Sequence, residues 1–191
     1  MSAWIKMMPV EGARGFLKEM FDKVMTPSGT VDNVMRVHSL RPQSMNGHYT
    51  LYKSVLHHED LNLPLWFLEA IAVYTSILNR CDYSLMHHYS NFEKLQGDVE
   101  WCRALRKALE EETPEAVLQG KDLALMRYAG KLTKTPGEMV AEDVLSAKRE
   151  GASDEEVLEV NQVCAYFNYS NRTLNGLGVS TEGDTIGYYQ K

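Results

Sequence analysis

Four side chains between positions 69 and 88 carry the chemistry this sequence can offer: Glu69, Cys81, Ser84 and His88. Cys81 falls at the start of a predicted helix. Unpaired backbone N–H groups and the helix dipole there favour a thiolate over a thiol. His88 lies seven residues further on, and at about 100° per residue seven steps return almost to the starting direction. Ser84 falls between them on the same face. The axial rise from Cys81 to His88 is about 10 Å, too long for a direct thiol–imidazole hydrogen bond. Ser84 and His88 are about 6 Å apart along the axis and can be neighbours, so the Ser84 hydroxyl is the expected bridge between sulfur and imidazole. Glu69 belongs to the preceding helix, in the setting Trp66-Phe67-Leu68-Glu69-Ala70-Ile71. A carboxylate among so many apolar residues needs a partner if it is buried.

Each of these residues also has a plain structural reading. Cys81 can pack as a small hydrophobe, His88 can be a satisfied core or surface histidine, and Glu69 can face solvent. Ser84, His88 and Glu69 have the chemical types of a hydrolytic triad, but nucleophilic serines sit on sharp turns beside an oxyanion hole, and no such turn is evident. His57-His58 and His87-His88 do not make a metal site: adjacent histidines point apart on a helix, and no Cys or Asp spacing completes a tetrahedral set. Cys102 and Cys164 are expected in the core. No cofactor is expected.

The elements that position these groups read as helices almost throughout, because apolar residues recur three and four apart rather than alternately. The spacing predicts helices over Arg14–Met25, Val31–Ser39 (stopped near Pro42), Met45–Leu56, Pro64–Leu78, Cys81–Leu95, Val99–Leu109, Asp122–Leu132, Ala141–Arg149, and from Ser153 to about Leu174. Pro64 suits a first helical turn, Asn79-Arg80 is a break, and Ser153 with Glu156 forms a capping box. The fold class is therefore all-α, a bundle of roughly eight helices. Residues 1–191 read as one domain, with 1–30 as an N-terminal helical extension and 175–191 as an irregular, glycine-punctuated tail. The sequons at Asn168 and Asn171 lie on a predicted helix and read as coincidental.

With 44% hydrophobic residues the 191-residue chain can build a substantial core. A net charge of -6 with no basic stretch excludes a nucleic-acid binder. No apolar run reaches the roughly 18 residues of a membrane span, and the first ten residues make no convincing signal peptide. Three scattered cysteines suit a reducing compartment, so a cytoplasmic location is expected.

The order and spacing of several segments resemble the AhpD-like, carboxymuconolactone decarboxylase group and its peroxidase-related members. That signature has a glutamate, a similar spacer, Cys-x-x-Cys and a histidine four beyond the second cysteine. Here it reads Glu69, Cys81-Asp82-Tyr83-Ser84 and His88. Leu63-Pro64 resembles the family's entry to the first helix. Tyr128-Ala129-Gly130-Lys131-Leu132-Thr133 with Pro136, Gly151-Ala152-Ser153-Asp154, and Ala165 through Arg172 with Gly176-Leu177-Gly178-Val179 are similar to the peroxidase-related subgroup. The resemblance spans Val31 to Val179. It implies an AhpD-like helical bundle, homo-oligomers (dimers or larger), and a relay in which glutamate and histidine, partly through water, deprotonate a thiol. That thiol reduces peroxides or exchanges with disulfides.

This sequence departs from the signature at Ser84, which replaces the second cysteine. The missing thiol is the one within reach of His88, and also the one that would close a disulfide with Cys81. A lone thiol can form a sulfenic acid but needs another thiol to resolve it. Three readings follow. The first is a peroxidase-related oxidoreductase with Cys81 as its single thiol, Ser84 and His88 beside it, Glu69 orienting His88, Tyr83 walling the pocket, a small peroxide-like substrate and a thiol or disulfide redox partner. The second is a non-redox enzyme in which Glu69 and His88 are acid–base groups. The third is a binding or structural oligomer without catalysis. A Glu69–His88 contact in a cavity from which Cys81 is turned away would favour the second.

Overall fold

A computed structural model describes residues 2–189. Among these there are nine α-helices and no strand: α1 Gly15–Val24, α2 Asn33–Arg36, α3 Pro42–Leu56, α4 Leu65–Leu78, α5 Asp82–Gln96, α6 Val99–Glu110, α7 Gly120–Lys134, α8 Ala141–Arg149 and α9 Asp154–Leu177. Short 3₁₀ turns at Pro114–Ala116 and Pro136–Glu138 mark the two proline breaks. No helix among the described residues is long and apolar enough to cross a membrane.

The core is organised around α4. Every residue from Phe67 to Ser76 is buried, so this helix is enclosed on all sides rather than amphipathic. It packs against α5, α6, α7 and α9. Phe67, Leu68, Ile71, Phe92, Leu105, Leu125 and Phe167 fill the resulting core, each at most 1% exposed. Fully burying such a side chain stabilises by about 1.5–3 kcal/mol. The entry to α4 is tied down by Glu159 of α9, whose carboxylate accepts the N–H groups of Asn62 and Leu63 at 2.7 and 2.9 Å.

The turn from α4 to α5 sets the site. The N–H of Arg80 donates to Ile77 O at 2.9 Å and that of Cys81 to Ser76 O at 2.9 Å, the paired bonds of a Schellman turn. The left-handed position of such a turn is usually glycine. Here it is Arg80, at φ +51°. This tight closure lays α5 back along α4.

Several helices extend past the ends expected from spacing. α3 begins at Pro42, which occupies its first turn instead of stopping the preceding segment. Val31–Ser39 contains only the four-residue α2. Its continuation tightens to three-residue hydrogen bonds, His38 N–H to Met35 O and Ser39 N–H to Arg36 O. The capping box at Ser153 and Glu156 forms in both directions. Gly176, expected in the tail, lies within α9, and the helix ends at Gly178 with φ +59°. The Trp4 ring packs on Gly178, where a Cβ would meet it at 2.1 Å.

Candidate active site

Glu69 reaches the site from the middle of α4 and His88 from the second turn of α5. The Glu69 side chain is fully buried, and its Oε2 lies 2.6 Å from His88 Nδ1. A carboxylate with no access to water needs charge or hydrogen-bond compensation. His88 provides one partner. Asn91, one turn further along α5, donates its Nδ2–H to Glu69 Oε1 at 3.1 Å. The His88 ring stands edge-on to Phe167, with centroids 4.5 Å apart. Held by Glu69 on one nitrogen and Phe167 beside it, the imidazole has its orientation fixed, and Nε2 is the nitrogen free of the carboxylate.

His88 lines a cavity of about 320 Å³ enclosed by the end of α1, α2, α3, α5, α9 and the C-terminal tail. Tyr52, Tyr83, Tyr166 and Tyr188 give it aromatic walls, and Ser84, His48, His87 and Asn91 add polar atoms. Burial lowers the pKa of His48 to about 3, with nearby His38 adding to the effect. Burial lowers that of His87 to about 4, with His88 adding to it. Both rings are therefore neutral at pH 7. His48 Nε2 lies 3.0 Å from the Tyr166 hydroxyl. At one rim Tyr83 donates its hydroxyl proton to Asp184 Oδ2 at 2.5 Å and accepts the Val34 N–H at 3.1 Å. Asp184 also accepts the Asn33 N–H. Asp32 sits beside this group, and burial, reinforced by Asp184, raises its pKa to about 6.

Cys81 occupies a different environment. It is the N-cap position of α5 but only 1% exposed, packed with Ala3, Val37, Tyr83, Leu174 and Val179. It does not line the cavity. Burial pushes its thiol up to about 11. The backbone amides of Ser84 and Tyr83 in the first helical turn pull in the opposite direction but are outweighed. Ser84 does not serve as the expected bridge. Its Oγ lies 2.9 Å from Ser76 Oγ on α4. The Ser76 hydroxyl also faces Ala72 O at 2.7 Å, and a hydroxyl has one proton to give. The two hydroxyls are thus committed to the α4–α5 interface, because the face of α5 that carries Ser84 is the face that packs on α4. Tyr83 lines the cavity. Cys102 and Cys164 are buried, as their expected core positions require, and all three cysteines are free. Among the described residues no cluster of histidine, cysteine and acidic side chains could hold a metal ion.

Sequence reasoning did not single out Asn91, His48, Tyr166, Asp32 or the tail residues Asp184 and Tyr188. Asn91 had a signal, since it stands three positions after His88 on the same face. The tail had none, because its contacts, to Asn33, Tyr83, Asn91 and His57, are single and scattered rather than periodic.

Comparison with solved structures places this geometry in a known architecture. The bundle has the AhpD-like fold of peroxidase-related proteins. It superposes with TM-score 0.82 on the alkylhydroperoxidase AhpD core of an uncharacterized peroxidase-related protein from Ralstonia eutropha, at 19% identity and covering 96% of this chain and 94% of that one. A peroxidase-related protein from Silicibacter sp. gives the same TM-score at 21% identity, covering 99% and 96%. The debrominase Bmp8 shares the fold at TM-score 0.71 and 16% identity, covering 96% and 92%. In sequence the chain is 23% identical over 180 residues to Sestrin-2 of Mus musculus and 24% identical to that of Homo sapiens. The match takes in 93% of this chain but 35% of those relatives, so the chain spans about a third of their length. No family model matches the chain.

Proposed function

We propose that this chain is an AhpD-fold enzyme that transfers a proton to or from a small, uncharged, largely aromatic molecule held in the cavity. His88 carries the proton, and Glu69 orients it. One observation carries this reading: His88, held at 2.6 Å by a Glu69 carboxylate closed off from water, lines the cavity, whereas Cys81 does not. An imidazole paired to a buried carboxylate through Nδ1 is a competent general base or acid at Nε2. The lining supports the choice of substrate. Apart from the histidines, Asp32 is the one formally charged residue among the described residues that line the cavity, and no described lysine or arginine lines it to meet a carboxylate or phosphate.

A second reading is favoured by two other observations. The amides of Ser84 and Tyr83 act on the Cys81 sulfur, and the fold is shared with peroxidase-related proteins. In it, the Cys81 thiolate takes one oxygen from a hydroperoxide, becomes a sulfenate and releases the alcohol; one external thiol then forms a mixed disulfide with loss of water, and a second opens it to restore the Cys81 thiol and leave the external pair as a disulfide. This reading requires Tyr83 or Leu174 to move, because both share the Cys81 pocket and both line the cavity.

The two readings separate in one pair of assays. Deuterium uptake from D₂O into small aromatic ketones, followed by NMR, reads proton transfer. Consumption of cumene hydroperoxide with dithiothreitol reads thiol turnover. The acid–base reading expects uptake that His88→Gln abolishes and Cys81→Ser leaves intact. Peroxide turnover that Cys81→Ser abolishes, with no deuterium uptake in the wild type, would establish the second reading instead.

A further inference from the structure

The C-terminal tail, an appendage by sequence, returns to the site after α9. Thr185, Gly187 and Tyr188 line the cavity. Asp184 holds one end of this segment against Tyr83 and the Asn33 amide. The Tyr189 hydroxyl meets His57 Nδ1 at 3.1 Å. Between these anchors the Tyr188 N–H donates to Asn91 Oδ1 at 2.6 Å. The same Asn91 side chain gives its Nδ2–H to Glu69 Oε1, the oxygen His88 does not use.

We propose that Asn91 is a positioning residue that joins the docked tail to the Glu69–His88 pair, so that covering the cavity and orienting the relay are one event. The proposal rests on the acid–base reading of that pair and adds its regulation. Asn91 is 2% exposed, so neither end of its amide has water as a ready substitute. Its two ends are not interchangeable. The carboxylate can only accept, so Nδ2 must face Glu69. The Tyr188 N–H can only donate, so Oδ1 must face the tail. One amide orientation satisfies both, and both bonds are made only while the tail is down. When the tail lifts, Oδ1 loses the Tyr188 N–H, and a rotation of the amide toward another donor withdraws Nδ2 from Glu69. The coupling is reciprocal by thermodynamic necessity: whatever disturbs Glu69 must loosen the tail.

The approach of the tail also depends on Gly187. Its φ is +82°, and a Cβ there would lie 2.7 Å from Ser90 Oγ and 3.3 Å from Asn91 Oδ1. Gly187→Ala therefore strains the seat of the tail without touching Glu69 or His88.

The test uses the full chain and needs no substrate. Amide hydrogen exchange is measured at Tyr188 and, as an internal reference, at Ser180, whose N–H is bonded to Ser2 O. The ring ¹⁵N resonances of His88 are recorded in parallel. Glu69→Leu is expected to speed Tyr188 exchange by at least about fivefold while Ser180 keeps its wild-type rate. Gly187→Ala, or removal of residues 184–191, is expected to move the His88 ring resonances in the direction that Asn91→Leu moves them. A tail that is merely a cover would exchange faster in Gly187→Ala and leave the His88 resonances at their wild-type positions, and that result overturns the proposal. Unchanged Tyr188 exchange in Glu69→Leu overturns it too. If Glu69→Leu does not fold, the Gly187→Ala arm stands alone. Neither readout involves turnover, so failure here is distinct from failure of the deuterium-uptake assay.

Discussion

The two ends of the α4–α5 hairpin treat their reactive side chains in opposite ways. At the turn, Cys81 has the residue type and the helix position that favour an ion, but its neighbours are Ala3, Val37, Leu174 and Val179. Two turns along, His88 has no special helix position, but a buried carboxylate fixes it and a cavity receives it. Magnitudes decide the first case. A helix terminus is worth about 0.3–1 kcal/mol to a charge, rarely about 2. Moving the thiol from 9.0 to about 11 is worth about 3 kcal/mol. Desolvation therefore wins at Cys81. At Glu69 the desolvation is more complete, yet it is met by two hydrogen-bonded partners. A residue's partners, more than its type or its place on a helix, determine what it can do.

The largest effect that would break this comparison comes from removing the compensated carboxylate. Glu69→Ala strands His88 and Asn91 in a closed site, and a broken buried pair of this kind costs about 3–5 kcal/mol. Cys81→Ala, which trims an apolar contact, is expected to cost about 1–2 kcal/mol. Urea denaturation followed by circular dichroism measures both. Equal losses would mean that the Glu69–His88 pair is no more integrated than the thiol. Next in size is the reactivity of Cys81. With its pKa near 11 instead of 9.0, its thiolate population at pH 7.5 is about 100-fold lower than that of an ordinary thiol. Iodoacetamide should label it about 100-fold more slowly than an exposed protein thiol of pKa 9.0, with the rate still rising at pH 10. Fast labelling at neutral pH would return thiol chemistry to the front.

A smaller effect tests the rim. Asp32 is raised from 3.8 to about 6 by burial and by Asp184. A carboxylate raised on folding binds its proton more tightly in the native state, so it opposes folding fully above pH 6 and ceases to do so as the pH falls below 3.8. Because Asp32 is partly exposed, the cost is discounted to about 1–2 kcal/mol. Asp32→Asn is expected to raise stability by that amount at pH 8 and to change nothing at pH 3.5. Equal effects at both pH values would show that the side chain contributes shape and not charge.

Much of this was legible in the sequence, for identifiable reasons. Helix periodicity gave α4 through α9 because their apolar faces are wide and several of their ends are marked, by Pro64, Asn79-Arg80 and Ser153. The Glu69–His88 meeting was legible because α4 and α5 are joined by a short turn and must lie antiparallel. The fate of Ser84 was not, since shared-face geometry says which residues align along one helix but not which neighbouring helix that face meets. Burial of Cys81 by Ala3 and Val179 was illegible because those residues lie at opposite ends of the chain. The tail was illegible because it docks through single contacts to Asn33, Tyr83, Asn91 and His57 that no periodic pattern announces.

The smallest expected effect addresses the turn between the two regions. Arg80 holds φ +51°, a conformation that a side chain adopts at a cost of roughly 1 kcal/mol or more. Glycine removes that cost but brings its own freedom to the unfolded chain, so Arg80→Gly is expected to stabilise by no more than about 0.5–1 kcal/mol. The variant bears directly on the comparison. It relaxes the turn that presents Cys81 without opening the apolar pocket around the sulfur. If desolvation protects the thiol, labelling stays as slow in Arg80→Gly as in the wild type, while the denaturation midpoint rises slightly. If labelling accelerates with the fold intact, the geometry of the turn, and not the pocket, governs Cys81, and the contrast with His88 would have to be rebuilt on backbone strain instead of on partners.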